Sequence, residues 1–137
     1  MTDSSPTDCE LYFEHFLPAR VPHSHIARIT AMDVRVRFII EDHPDGDWLC
    51  SFEGGQLTRV LRAARDVHAD FGYRTDTRAF WRAISGAAHP QEFFLEGRAD
   101  VFGDVERALK MAMILNAFSR EHPCDAETLL EYRRRAS

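Results

Sequence analysis

A chain of 137 residues, 45% of them apolar and 28% charged, is most simply one folded domain that buries about two-thirds of the surface its unfolded form exposes. The formal charge of −5 argues against a general nucleic-acid binder, which needs a basic face, and no apolar run approaches the ~18 residues of a membrane span. Three widely spaced cysteines, Cys9, Cys50 and Cys124, without a Cys-x-x-Cys pair suggest neither a zinc ribbon nor a redox dithiol; free thiols suit a reducing cytosol.

In chain order, Met1 to Asp8 is polar and is expected to be a loose N-terminus rather than a signal peptide, ahead of a single domain over 9–137. Cys9 to Leu17 carries Leu11, Phe13, Phe16 and Leu17, a short amphipathic helix that Pro18 should close. Ala19 to His23 is then a connector, and Ser24 caps a second short helix over Ile26 to Met32. Asp33 to Asp42 alternates Val34, Val36, Phe38 and Ile40 against Arg35, Arg37 and Glu41, a half-buried strand with a wet back. His43-Pro44-Asp45-Gly46 has turn chemistry, and Asp47 to Glu53 alternates again, so the pair forms a hairpin. Gly54-Gly55 turns into a third strand, Gln56 to about Ala63. A fourth runs from Asp66 to Arg74, with Val67, Ala69, Phe71 and Tyr73 opposite Asp66, His68, Asp70 and Arg74.

From Thr75 onward the signals are sharper. Thr75 or Asp76 caps a helix through Ser85, which Gly86 ends. His89-Pro90 opens a turn carrying Phe93-Phe94-Leu95, Arg98 to Phe102 is a fifth strand, and Gly103-Asp104 leads into a helix from Val105 to about Glu121. Between Ala108 and Phe118 that helix has only Lys110 and Asn116 as polar residues, so it needs cover on several sides. A sheet with other helices, a second subunit or a bound apolar ligand would each supply it. Asp125 caps a last helix with Glu127 early and Arg133-Arg134-Arg135 late, signs that suit the helix dipole; its apolar side could lie as a lid over a cavity mouth.

The string Phe80-x5-Gly86-x3-Pro90-x2-Phe93-x3-Gly97-x5-Gly103-Asp104, followed by an Ala-Leu-Lys-Met helix, resembles the C-terminal half of the sterol carrier protein family of non-specific lipid-transfer proteins. Gly97-Arg98 stands where the family has Gly-Lys or Gly-Arg, and the resemblance covers about residues 33 to 121, most closely from 66 onward. The strand and helix order by itself predicts an α+β fold, a five-stranded mostly antiparallel sheet with helices packed on one face. The resemblance implies the same layout with an apolar tunnel between the layers.

Other constellations offer less. His23-x-His25 lacks a third metal ligand, and Asp42, Asp45 and Asp47 miss the calcium-loop spacing because Pro44 and Asp47 occupy the wrong positions. His68 and Asp70 share a strand face and, with Tyr73, are the candidate acid–base residues; Cys50 has no neighbouring histidine to make it a nucleophile. No metal or cofactor is expected. Candidate ligand-lining residues are Phe80, Trp81, Ile84, Phe93, Phe94 and Phe118 with Leu109, Met111 and Met113, joined by Phe38, Trp48 and Phe71 on the sheet. As plain core, these residues need no further explanation. As a lining they would hold an acyl chain, sterol-like or isoprenoid lipid at about 0.8 kcal/mol per buried methylene.

Three functions are in view, the first two resting chiefly on what the resemblance implies. The first is a cytosolic carrier for a hydrophobic molecule, monomer or homodimer, with transient membrane-surface contact and no nucleic-acid partner. The second is an enzyme of the same scaffold that cyclises or isomerises a polyketide or isoprenoid. The third is a subunit whose apolar helix lies in a protein interface.

Overall fold

A computed structural model describes residues 6–24, 33–63, 66–87 and 99–136. The expected helix over Ile26 to Met32, His25 and the Phe93-Phe94 turn lie outside the described residues.

Five strands, β1 (Val34–Ile40), β2 (Asp47–Glu53), β3 (Gln56–Arg62), β4 (Phe71–Thr75) and β5 (Ala99–Gly103), form one sheet in the order β3-β2-β1-β4-β5. Tight turns join β1 to β2 and β2 to β3, which forces antiparallel pairing. After β3 the chain crosses to the far side of β1, so β4 lies parallel to β1, and β5 is antiparallel to β4. The crossover explains why the fourth strand starts at Phe71 and not at Asp66. Arg37 donates to the Val67 carbonyl at 3.0 Å, and the Asp70 carboxylate accepts the Arg35 N–H at 2.7 Å, a bond that a ladder carbonyl would otherwise make. Asp66 to Asp70 is therefore a loop tied to the sheet by these side chains and, at Asp70, by a backbone N–H on the Arg35 carbonyl at 2.9 Å.

The first helix also departs from expectation. Helix α1 spans 8–23 and passes straight through Pro18. A proline inside a helix lacks its N–H and crowds the carbonyl four residues back. Here Leu11–Phe16 is wound as a π-helix, with the Leu17 N–H on the Tyr12 carbonyl, and that wider turn relieves the crowding. Leu17–Arg20 resumes α geometry and Val21–His23 tightens to a 3₁₀ turn, which buries Leu17 and Val21. Packing beyond the proline thus extends the helix over residues expected to be a connector.

Helix α2 (Thr77–Ile84) starts at Asp76, whose carboxylate accepts the Ala79 N–H at 2.8 Å, and stops at Gly86, φ +80°. Helix α3 (Val105–Glu121) is capped by Asp104, which follows Gly103 at φ +82°. Helix α4 (Ala126–Ala136) is capped by Asp125.

The core lies between the sheet and the helices. Phe13 of α1 is its hub: fully buried, it stacks on Trp48 at 5.2 Å and on Phe80 at 5.7 Å and meets Phe38 at 5.3 Å. One ring thereby joins α1, α2 and two strands, and removing it would cost about 3–5 kcal/mol. Helix α3 packs on β4 and β5, where the Tyr73 hydroxyl donates to the Ala108 carbonyl. Helix α4 lies against α1, with Tyr132 edge-on to Phe16 and Arg133 paired with Asp8.

Candidate functional site

Between the sheet, α1, α2 and α3 the packing leaves an apolar cavity of about 120 Å³. Its walls are Tyr12 and Leu17 of α1, Phe38, Phe52, Tyr73 and Thr75 of the sheet, Phe80, Ala83 and Ile84 of α2, and Ala112, Leu115, Asn116 and Ser119 of α3. Residues 112, 115, 116 and 119 repeat at helical spacing, so one side of α3 supplies that wall. Two of these four residues, Ala112 and Ser119, are small, and this is where the void arises. Phe38 and Thr75 of the sheet, Ala83 of α2, and Ala112, Leu115 and Asn116 of α3 are only partly buried, so the cavity is not sealed from solvent.

Among the described residues no lining residue is charged. The polar groups are hydroxyls and one amide: Tyr12, hydrogen-bonded to Ser119, then Tyr73, Thr75 and Asn116. Burial pushes both tyrosine phenols well above their ordinary range, so they stay neutral at physiological pH. Helix α2, which supplies part of the wall, is tied at both ends. Asp42 accepts both the N–H and the hydroxyl of Thr77 at 2.6 Å, holding the start of α2 and keeping its own carboxyl below the usual range. The Cys124 N–H donates to the Ile84 carbonyl at 2.8 Å, tying the end of α2 to the chain just after α3.

Phe38, Phe80 and Ile84, expected in the lining, are in it. Trp48, Phe71, Met111 and Phe118 are buried in the core beside the cavity, and Trp81 is partly buried against it. Leu109 and Met113 are not in the lining: they are 44% and 68% exposed on the outer side of α3. The apolar composition of α3 hid this, because only the docking of Ala108, Met111 and Phe118 decides which side faces inward. Sequence reasoning missed Tyr12, Leu17, Phe52, Thr75, Ala83, Ala112, Leu115, Asn116 and Ser119. The small and polar residues spaced along one side of α3 were the available signal. Helix α4, expected as a lid, contributes nothing to the lining.

The candidate acid–base residues are dispersed. Tyr73 lines the cavity, whereas Asp70 lines a polar cleft of about 420 Å³ with Arg35, Ser51 and Arg59. Arg35, Ser51 and Arg59 stand on β1, β2 and β3, and Asp70 lies in the loop before β4. Asp70 is occupied by the Arg35 N–H and sits 3.7 Å from Arg107. His68 lines neither space. The three aspartates near the hairpin also diverge: Asp42 holds Thr77, Asp45 pairs with Thr7 and Arg62, and Asp47 lies 3.8 Å from Arg37. Cys50 is fully buried, with its thiol pushed up by desolvation. Among the described residues no three His, Cys, Asp or Glu side chains gather as metal ligands, and His23 is exposed.

A family model described as the SCP-2 sterol transfer family matches residues 13–116. The chain belongs to that family. Solved structures agree on the fold. A conserved hypothetical protein from Thermus thermophilus is 12% identical, with 93% of this chain and 96% of that chain covered at a TM-score of 0.67. A crystal structure of sterol carrier protein 2 is 14% identical, over 80% and 95% of the two chains, at 0.63. The sterol carrier protein domain 2 of Helicoverpa armigera is 14% identical, over 86% and 93%, at 0.61. No curated protein sequence matches. In this SCP-2 family chain the apolar void sits between the sheet and the helices, so fold and site chemistry can be taken together.

Proposed function

We propose that this SCP-2 family protein binds and carries a hydrophobic small molecule with a fatty acyl, sterol-like or isoprenoid body. The observation that carries the reading is the apolar cavity between sheet and helices, whose wall carries no charge among the described residues. Family membership supports a lipid-binding or lipid-transfer role. The mechanism is reversible partition: ten buried methylenes are worth roughly 8 kcal/mol before association costs, a driving force that needs no specific polar contact.

Size sets a condition. At about 120 Å³ the cavity is slightly smaller than the ~150 Å³ engineered void that accepts benzene. It takes the end of a lipid as it stands, and a longer body requires the elements around it to part. None of the described helices is long and apolar enough to cross a membrane, and all three cysteines are free; these features support a cytosolic carrier.

The test is extraction of the purified protein into organic solvent with mass spectrometry of the extract, followed by titration of delipidated protein with the neutral dye Nile red. A co-purifying lipid and saturable dye uptake are expected. An empty extract together with no uptake overturns the reading.

A further inference from the structure

We infer that the cavity selects ligands whose buried polar group is uncharged, such as an alcohol, ester, amide or ketone, over ligands bearing an ionised carboxylate. The inference rests on the carrier reading and narrows its ligand class. Its basis is the charge inventory of the wall: among the described residues no Lys, Arg or His lines the cavity to balance an anion, and no Asp or Glu lines it to balance a cation. A carboxylate drawn inside would be desolvated without a partner, which is costly unless it takes up a proton.

A neutral head group meets a different environment. Asn116 and Ser119, one turn apart on α3, line the cavity together with Thr75 of β4 and with Tyr12 of α1, which is hydrogen-bonded to Ser119. A serine or threonine hydroxyl offers one donor and two acceptor sites, and an asparagine amide offers two of each. These groups can therefore receive a ligand hydroxyl or carbonyl while keeping a protein partner, as Ser119 keeps Tyr12. The small volume strengthens the selection. A lipid end that enters fills the space beside these groups, with little room left for the waters that would keep a charge hydrated.

The magnitude follows from desolvation. A fully buried, unpaired carboxyl is shifted by about 3–5 pKa units. Counting only about two of these for a partly wetted head group predicts about 100-fold weaker binding of the anion at pH 8.

Decanamide and decanoate have the same chain length and planar heads of similar size, and differ in charge. Displacement of Nile red from the wild-type protein at pH 8 compares them without any mutation. Decanamide is expected to displace the dye at about 100-fold lower concentration, and any preference of tenfold or more sustains the inference. A preference below tenfold, or the reverse order, overturns it while leaving the carrier reading intact. If neither compound displaces dye and no lipid co-purifies, the carrier reading itself fails, and the inference with it.

Discussion

Filling the void should move stability and binding in opposite directions, and Ala112→Leu is the substitution that separates them. Ala112 lines the cavity from α3 and is itself partly buried, and leucine adds three carbon groups there. Fully buried, these would contribute about 2.4 kcal/mol at ~0.8 each. Half burial leaves about 1.2 kcal/mol, offset by ~0.5–1 kcal/mol of lost side-chain freedom. Leucine also suits a helix interior almost as well as alanine. The net change is near zero to about +0.7 kcal/mol, equivalent to at most a few degrees of Tm for a domain this size. The same carbons take most of the room a ligand would use, so Nile red affinity should fall at least about tenfold, the equivalent of two lost methylene contacts. Thermal unfolding and dye titration on the same preparation make the comparison. A variant of unchanged stability that still binds dye like the wild type would refute the assignment of this cavity as the site. A loss of both would leave occlusion unsupported and indicate general damage.

Three further expectations can be checked on the same protein. Acid should weaken the fold through Asp42, Asp104 and Asp125, whose carboxyls are held below the usual range chiefly by the Thr77 hydroxyl, the Arg107 side chain and the Thr128 N–H respectively. A carboxyl depressed in the folded state contributes stability above its unfolded pKa of about 3.9, and that contribution is lost as pH falls through the folded value. The urea midpoint of Asp42→Asn should thus drop less between pH 6 and pH 3 than the wild type's; an equal drop removes Asp42 from the account. Gly103→Ala should destabilise by at least about 2 kcal/mol, because φ is +82° and the new Cβ would lie 2.5 Å from the Asp70 carbonyl oxygen, a backbone atom that no rotamer can move. A denaturation shift under about 0.5 kcal/mol would contradict that geometry. The thiols of Cys9 and Cys124 are pushed up to about 12 by burial, and Cys50 is pushed up by desolvation alone. All three should resist a disulfide-exchange reagent at pH 8 in the folded state and react in urea; prompt reaction of one in native buffer would show that it is accessible.

Much of the sheet was legible because its signals are local. The alternation of Val34, Val36, Phe38 and Ile40, the Pro-Asp-Gly turn and the Gly54-Gly55 step each act over a few residues, and β1, β2 and β3 follow them. The capping aspartates and Gly86 did the same for α2, α3 and α4. Where local grammar failed, a distant contact had outweighed it. Pro18 forbids a regular helix locally, yet burying Leu17 and Val21 carries α1 past it through a π turn. Asp66 to Asp70 alternates like a strand, yet Arg35 and Arg37 hold it as a loop.

The amino-acid order alone determined the α+β class, most element boundaries and the surplus of apolar surface on the late helices, since these depend on periodicity and capping within one element. Only the tertiary structure decided how that surplus is used. The side of α3 that meets the core is chosen by docking against β4 and β5, which leaves Leu109 and Met113 in water and turns Ala112, Asn116 and Ser119 toward a void. A cavity consists of space between elements, and its location requires the positions of all its walls at once.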